Sequence, residues 1–323
     1  MRKITGIIAS ILLLSGCGSA GRANSDSTTA GPVAETVADI PEFDRDSAYS
    51  YVSRQVSFGP RVPNSEAHDK TVAWLKSELE RHGAEVTEQK ADLTAWNGTV
   101  LKSTNIMGSF NPAKEDRLLL LAHYDTRPWA DEDPDPSNHD KAIDGANDGA
   151  SGVGVLLETA RQLGQHNPGK GVDILFVDSE DYGTDGDEES WALGARYFAT
   201  HAIKPGYKAN HAILLDMVGG RGAQFPAEYF SRQSAGWLDD KFRTAANAAG
   251  HGALFPTVIG SAVTDDHLEL IKQGVPAIDI IDYRVGEGFC PTWHTMQDTM
   301  DNVDRDVLGA VGESLIRYIY NQD

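Results

Sequence analysis

Three carboxylates fall within four residues at the end of an apolar run, VDILFVDSEDY, which starts at Val172. Its apolar part, 172–177, is typical of a strand that is covered on both faces of a sheet. Asp178, Glu180 and Asp181 follow at the point where this strand leaves the core. Ligands of α/β proteins bind beyond the carboxyl ends of strands, so these acids are candidates for catalysis or metal binding. The simpler alternative is a solvated loop after a strand.

Acids and histidines also follow other predicted strands and turns. The run Arg117–His123 predicts a central strand that ends on His123, and Ala212–Leu215 predicts a strand before Asp216. Adjacent acids in an extended chain point in different directions, so Glu180 and Asp181 can serve a substrate and a metal separately. Carboxylates and imidazoles together suit zinc, and a catalytic zinc site keeps an open position beside three protein ligands. The collected candidates are His123, Asp125, Asp148, Glu180, Asp181, Asp216, Asp265 and His294.

The elements that would position these side chains are predicted from hydrophobic spacing. Helical spacing predicts helices over Asp44–Ser57 and His68–His82, after the glycine-rich turn that carries Asp148, from Asp265 onward, and over Asp304–Tyr320. Further strands are predicted over Ala84–Leu93, Leu101–Phe110 and Val275–Ile281. At 323 residues and 40% hydrophobic content, the chain is long enough for one large α/β domain.

The net charge argues against two classes of partner, and the remaining histidines are not assigned to the site. A formal charge of −20 argues against nucleic acid or an anionic membrane surface as a partner, since both would repel the protein. His267 is interpreted as a helix residue with no assigned role. Seven histidines lie outside the candidate set and are predicted to be solvated or structural: His68, His82, His139, His166, His201, His211 and His251.

The first residues have the layout of an export signal. Two basic residues precede the short apolar run 7–14, which is too short to span a membrane as a helix. Leu14-Ser15-Gly16-Cys17 resembles the bacterial lipobox, which predicts a signal peptide over 1–16 and a lipid anchor on Cys17. A plain signal peptide with an incidental cysteine is the alternative. With Cys17 acylated, Cys290 has no partner, so no intramolecular disulfide is predicted.

Residues 17–42 are rich in small and polar side chains and predict a flexible tether, so the folded domain is expected over 43–323. Membrane contact would then be made by the lipid anchor alone, on the periplasmic side or at the cell surface. A second irregular segment, Trp129–Asp144, is dense in acids and prolines and predicts a long surface loop. Calcium binding by this loop is an alternative, but the glycine and terminal glutamate of an EF-hand are missing, which favours a solvated loop.

The order and spacing of these motifs resemble the zinc aminopeptidase-like superfamily, and within it the bacterial glutaminyl-peptide cyclotransferases (glutaminyl cyclases) of animal type. The resemblance covers roughly 58–307 and implies a single α/β domain with a central twisted mixed sheet flanked by helices. It rests on FGPR at 58–61, HYD at 123–125, ANDGASGVGVLLE at 146–158, FVDSED at 176–181, LLD at 214–216, DDH at 265–267, GVP at 274–276 and WHTMQD at 293–298.

The resemblance implies a role for each matching position. Asp148, Asp181 and His294 match the ligands of one zinc ion, and Glu180 matches the general acid/base. The other matching positions are Asp216 and Asp265 in a hydrogen-bond network beside Glu180, and Trp191, Phe289 and Trp293 in the walls of the substrate pocket. Asp181 stands where animal cyclases carry glutamate. The implied substrates are peptides or proteins with an N-terminal glutamine, and the oligomeric state stays open.

Two other functions remain alternatives. In the related aminopeptidases two zinc ions share a bridging aspartate, and His123, Asp148 and Asp216 would be available for the second ion while Glu180 activates a water. Asp125 is then either a partner that orients His123 or a strand-end acid without a role. A lipid-anchored binding protein without catalysis would lack a ligand or the base, and neither is missing here.

Overall fold

A computed structural model describes residues 40–321, which form a six-stranded mixed sheet with helices on both faces. The sheet strands are β1 Glu85–Thr94, β2 Val100–Phe110, β3 Arg117–His123, β4 Gly171–Val177, β5 His211–Asp216 and β6 Ala277–Ile281, and a separate ribbon is made by β7 Tyr283–Arg284 and β8 Gly288–Phe289. The helices are α1 Arg45–Val56, α2 Glu66–Arg81, α3 Ala150–Gln165, α4 Leu193–Thr200, α5 Tyr229–Ala248, α6 Asp266–Lys272 and α7 Arg305–Tyr320.

The sheet has the strand order β1-β2-β4-β3-β5-β6. Strands β3 to β6 run parallel to one another, whereas β2 pairs antiparallel with both β1 and β4. The register pairs His123 with Val177 and Asp216 with Ile281, so four parallel strands end at one edge. The mixed α/β architecture predicted from the sequence is therefore confirmed.

Alternation along β3 explains why both faces of the sheet are covered. Leu118, Leu120 and Ala122 belong to the larger core cluster, together with residues of α1, α2, α3, α5 and α7. Leu119 and Leu121 belong to a second cluster, which includes residues of α4 and α6. Successive side chains of a strand point to opposite faces, so a strand buried on both sides needs an unbroken apolar run.

The predicted element boundaries agree with the structure to within a few residues, but two helices were not predicted. Asp44 and Asp304 are the N-caps of α1 and α7, and their side chains accept backbone N–H groups of the first turn. Helices α4 and α5 were not predicted from the sequence. Helix α4 has only 8 residues, and α5 contains non-helical backbone at Ala235, which interrupts its hydrophobic period.

The predictions for the amino-terminal segment lie outside the described residues, among them the signal peptide 1–16, Cys17 and most of the tether. Among residues 40–321, no helix combines the length and the apolar character that a membrane crossing requires. Cys290 is a buried free cysteine within the same range.

The glycines at the start of α3 are required by close packing. A Cβ at Gly152 would lie 2.2 Å from the carbonyl oxygen of Leu215 on β5, and one at Gly149 would lie 2.7 Å from Cε1 of His123. The neighbours that require these glycines are the backbone of β5 and the His123 ring, which the start of α3 approaches too closely for any side chain.

Because of this contact, Gly152→Ala should destabilise the fold by about 1–3 kcal/mol, since the added methyl group forces α3 away from β5. Gly236→Ala in α5 is the matched control, because its nearest neighbour would be 3.7 Å away on the flexible side chain of Arg232. We expect the control to change the free energy of unfolding by less than about 1 kcal/mol. Urea denaturation of both variants measures the difference, and equal stability would contradict the packing argument.

Candidate active site

The candidate residues meet at the carboxyl edge of the parallel strands. His123 ends β3, Glu180 and Asp181 follow β4, and Asp216 ends β5. Asp148 lies before α3, Asp265 is the N-cap of α6, and His294 follows the β7–β8 ribbon. The structure thus brings together residues that are far apart in the sequence, at the edge where α/β sheets place their ligands.

Asp148, Asp181 and His294 form a buried group of three potential metal ligands, with their ligand atoms within 4.8 Å of one another. His294 Nε2 lies 3.2 Å from Asp181 Oδ1 and 3.7 Å from Asp148 Oδ2. Both carboxylate oxygens of Asp181 are buried and accept no hydrogen bond. Leaving a buried carboxylate without partners is costly, and a cation shared by three such ligands removes that cost. One histidine and two carboxylates also match the donor set of catalytic zinc sites.

A second group contains His123, Asp148 and Asp216, again within 4.8 Å. Here His123 Nε2 lies 3.0 Å from Asp148 Oδ1 and 3.2 Å from Asp216 Oδ1. Burial, together with the neighbouring Asp265 and Asp148, raises the pKa of Asp216 to about 7, although His123 opposes this shift. The carboxylate of Asp216 is hydrogen-bonded to the imidazole of His123, whereas neither oxygen of Asp181 has a hydrogen bond.

Asp125 has a clear structural task that the sequence did not reveal. Its two carboxylate oxygens accept the backbone N–H groups of Glu180 and Asp181, at 3.1 and 3.2 Å. It also lies 3.6 Å from Nδ1 of His123, so one side chain of β3 supports both the segment after β4 and the imidazole. The alternative of a strand-end acid without a role is wrong.

Asp298, the last residue of the WHTMQD motif, supports Asp148 in the same manner. Its carboxylate accepts the N–H groups of Asn147 and Asp148 at 2.7 and 3.0 Å. Burial and the charge of Asp148 raise the pKa of Asp298 to about 7. The sequence motif contained this residue, but only the fold shows that it fixes the backbone of a ligand.

The start of the acidic loop packs against His294. Asp131 Oδ1 lies 3.5 Å from His294 Nδ1, and the N–H of Glu132 donates to the carbonyl of His294 at 3.2 Å. Asp133 is 6% exposed and accepts the N–H of Met296. The expectation of a solvated loop is therefore wrong for this part of 129–144. Among the described residues, none of these loop acids joins a three-ligand group of the kind that calcium would need.

Glu180 lies in a buried acidic environment. Burial raises the pKa of Glu180 well above its ordinary value, and the charges of Asp265, Asp181 and Asp266 add to the effect while His123 opposes it. Asp265 lines the same cavity, and its Oδ2 atom accepts no hydrogen bond. Such an environment suits a carboxyl group that exchanges a proton near neutral pH.

Behind Asp265 lies a polar cluster that the sequence analysis missed. His267 is fully buried, with Nε2 3.1 Å from Glu228 Oε2 and Nδ1 3.7 Å from Asp279 Oδ2. Glu228 also accepts the N–H groups of Phe230 and Ser231 at the start of α5. His267 therefore has a structural role, because its contacts with Glu228 and Asp279 link the start of α6 to α5 and β6. Its partner Asp279 sits inside a strand, where the sequence shows only one polar residue within an apolar run.

Three residues of the site have left-handed backbone. Ser179 precedes Glu180 with φ 57°, Met217 follows Asp216 with φ 47°, and His294 itself has φ 51°. Such conformations cost about 1–3 kcal/mol each in side chains other than glycine and persist only where the surroundings enforce them. Asp178 is one such anchor, because it accepts Tyr124 O–H and Thr104 N–H at 2.7 Å and lies 2.8 Å from His68 Nε2.

A cavity of about 510 Å³ opens above these residues. Trp191, Phe289 and Trp293 all line it, as the sequence predicted, and Phe289 stacks on Trp293 with ring centroids 4.4 Å apart. The sequence analysis did not find two further aromatic lining residues, Phe230 and Tyr283. The cavity thus has a buried polar floor and half-buried aromatic walls, which is the usual build of a small-ligand site.

The model of peptidase family M28 matches residues 105–319, which include all the candidate ligands and acids. The chain belongs to peptidase family M28. The mixed α/β sheet flanked by helices is thus that of an M28 member, and the superfamily resemblance given by the motifs is confirmed.

Solved structures place this M28 chain beside the bacterial glutaminyl cyclases. It is 48% identical to the glutaminyl cyclase of Bacteroides thetaiotaomicron solved with N-acetylhistamine, over 88% of this chain and 100% of that one, with a TM-score of 0.87. A structure from the same organism described as a leucine aminopeptidase precursor is also 48% identical, covering 89% and 100%, with a TM-score of 0.86.

Among curated M28-like proteins, the bovine glutaminyl-peptide cyclotransferase is 25% identical over 247 residues. That match includes 66% of this chain and 64% of the bovine protein, so the chain spans less than two thirds of the length of that relative. The similarity to glutaminyl cyclases therefore appears both in solved bacterial structures and in a mammalian sequence.

Proposed function

We propose that this M28 protein is a zinc-dependent glutaminyl-peptide cyclotransferase, which converts an N-terminal glutaminyl residue to pyroglutamate with release of ammonia. The observation that carries the proposal is the position of Glu180, a buried carboxyl group in the same aromatic-walled cavity as Asp148, Asp181 and His294. Similarity to bacterial glutaminyl cyclases over the full length of a solved structure supports the same activity.

We assign one zinc ion to Asp148, Asp181 and His294, since neither oxygen of Asp181 accepts a hydrogen bond and the ion pair of Asp181 with Arg127 is long, at 3.8 Å. Zinc held there would polarise the γ-carboxamide of the substrate as a Lewis acid. His294 is kept in place by Asp131 at its other ring nitrogen, an arrangement that fixes the orientation of a metal-binding imidazole. Asp298 and Asp125 hold the backbone of the two carboxylate ligands.

Glu180 is assigned the proton transfers. The α-amine nitrogen attacks the γ-carbonyl carbon, so a new C–N bond closes the ring and the bond to the amide nitrogen breaks. Glu180 takes a proton from the attacking amine and gives it to the departing nitrogen, which leaves as ammonia. A carboxyl group with a raised pKa can do both, because it accepts a proton more readily than an ordinary glutamate and can then donate it. Asp216 and Asp265 lie in the same cavity and complete the proposed network.

The aromatic walls are assigned to substrate binding. Trp191, Phe289 and Trp293 would enclose the aliphatic part of the glutaminyl side chain, and Trp191 is itself fixed by Arg127, whose Cζ lies 4.7 Å from the indole ring. Enclosure also excludes water, which would otherwise compete with the amine for the same carbonyl carbon.

A zinc aminopeptidase is the second candidate, because His123, Asp148 and Asp216 form another three-ligand group and one similar structure is described as a leucine aminopeptidase precursor. We favour the cyclase, since neither oxygen of Asp181 has a hydrogen bond, whereas in the second set Asp216 is hydrogen-bonded to His123.

We also propose that the protein is exported and lipid-anchored through Cys17, in the sequence context Leu14-Ser15-Gly16-Cys17. Substrates would then be peptides or proteins outside the inner membrane. This proposal rests on the amino-terminal sequence alone and is independent of the chemistry of the site.

Histidine variants separate the two metal hypotheses. His294→Ala removes a ligand of the first group only and should abolish zinc binding, whereas His123→Ala should retain about one zinc per chain. His251→Ala is the control, because that imidazole pairs with Glu313 outside the site. Metal analysis by mass spectrometry measures the outcome. Two zinc ions in the wild-type protein, one of them lost in His123→Ala, together with release of leucine from a leucine amide, would favour the aminopeptidase.

Glu180→Gln should lower kcat for ammonia release from a glutaminyl peptide by about 10²–10⁴-fold, because the amide cannot accept the amine proton. Zinc content should stay unchanged, since Glu180 is not among the assigned ligands. Glu287→Gln, an exposed acid in the turn between β7 and β8, is the control and should retain full activity. An active Glu180→Gln enzyme would remove Glu180 from the proposed mechanism.

Cys17→Ser should release the protein from the membrane fraction of expressing cells, because the acylated side chain is lost. Detergent partitioning and mass spectrometry of the mature amino terminus measure this. Membrane attachment that survives the substitution would exclude the anchor while leaving the enzymatic proposal intact.

A further inference from the structure

The mouth of the active-site cavity carries two exposed acids that the proposed reaction does not use. Asp185 and Glu188 line the cavity and belong to the segment between β4 and α4, just before Trp191. Both side chains are exposed, whereas the acids of the floor are buried and the aromatic walls are half-buried. The lining therefore changes from buried carboxylates, through aromatic rings, to free carboxylates at the opening.

These two acids are not neutralised by their neighbours. Within residues 40–321, neither Asp185 nor Glu188 forms an ion pair with lysine or arginine, although the adjacent Glu189 pairs with Arg196 and Lys272. Arg127, the other nearby cation, is already paired with Asp131. The cavity lining itself contains no lysine or arginine among the described residues. The mouth is thus an uncompensated anionic surface on a protein with a formal charge of −20.

The cavity is a ligand site on independent grounds, since the buried oxygens of Asp181 and Oδ2 of Asp265 lie at its floor without hydrogen-bond partners. A peptide whose first residue reaches this floor runs outward at about 3.3 Å per residue. Because Asp185 and Glu188 are exposed residues of the same cavity lining, the second and third side chains of such a peptide would come within reach of them.

We propose that Asp185 and Glu188 form a cation-binding subsite, so that the preferred substrates are glutaminyl peptides with lysine or arginine at the second or third position. This inference rests on the proposed function and adds to it a preference for positive charge at the second or third residue of the substrate. Exposed ion pairs are individually weak, so two carboxylates should favour a basic over a neutral residue by about three- to tenfold in kcat/KM. An acidic residue at the same position is repelled, which widens the difference between Gln-Lys and Gln-Glu peptides.

The test compares kcat/KM for Gln-Ala, Gln-Lys and Gln-Glu peptides of equal length, by ammonia release at low ionic strength. We expect the order Gln-Lys, Gln-Ala, Gln-Glu, with the differences shrinking near 1 M salt, where the screening length falls to about 3 Å. The double variant Asp185→Asn/Glu188→Gln should bring the Gln-Lys to Gln-Glu ratio close to one. Asp185→Asn/Glu188→Lys should lower the ratio below one, because it replaces the two negative charges by one positive charge.

A matched control has the same change in net charge at the opposite edge of the sheet. Glu85 begins β1 and Glu115 lies just before β3, so Glu85→Gln/Glu115→Gln removes two exposed acids far from the cavity. This control should keep the wild-type ratio. A ratio near one in the wild-type protein, or an equal fall in the control, would overturn the subsite. Failure to release ammonia from any of the three peptides would instead overturn the proposed activity.

Discussion

Burial of negative charge at one edge of the sheet is the constraint on which the site depends. Most of the candidate acids are almost completely buried, among them Asp125, Asp148, Asp181, Asp216 and Asp265. A buried carboxylate is tolerated only when it is hydrogen-bonded, paired, protonated or bound to a cation. Hydrogen bonding to the main chain and pairing with histidine both occur at this edge, and a carboxylate left with neither is a candidate for protonation or for binding a cation.

Carboxylates that accept backbone N–H groups act as supports. Asp125 and Asp298 each accept two such groups, and in this way they fix the segments that carry Asp181 and Asp148. Asp181 has no hydrogen-bond donor of its own, so its oxygens remain available to a cation. Carboxylates that already accept main-chain N–H groups therefore support the backbone, and carboxylates that accept none remain available to a cation. This support also explains why left-handed backbone at Ser179 persists, since Asp178 accepts the N–H of Ser179 and Asp125 accepts the N–H of Glu180.

The same constraint separates the floor of the cavity from its mouth. Burial and neighbouring charge raise the pKa of Glu180 and Asp216, which makes these groups suitable for proton exchange. Asp185 and Glu188 are exposed to water. The proposed chemistry is therefore assigned to the buried floor, and the proposed selection of the peptide by charge is assigned to the exposed mouth, where it would be weaker and depend on salt.

The sequence alone predicted the six strands of the main sheet, most of the helices and the acids and histidines at the strand ends. These are local features, since a bounded apolar run such as the five residues inside Arg117–His123 is typical of a buried strand. The family followed from the motifs, and the aromatic walls followed from the resemblance to that family. The sequence did not reveal that Asp125 holds the Glu180–Asp181 segment, that the acidic loop packs on His294, or that His267 bridges to Glu228.

Only the tertiary structure decided which acids are satisfied and which are left for a ligand. The bond from the N–H of Asn147 to Asp298 joins residues 151 positions apart, and the bond from Glu180 N–H to Asp125 spans 55. No periodicity or propensity contains such a pairing, because it arises when helices and strands pack and bring distant loops to one edge. The residue types fixed what chemistry was available, and the packing of the chain fixed which carboxylate performs each part of it.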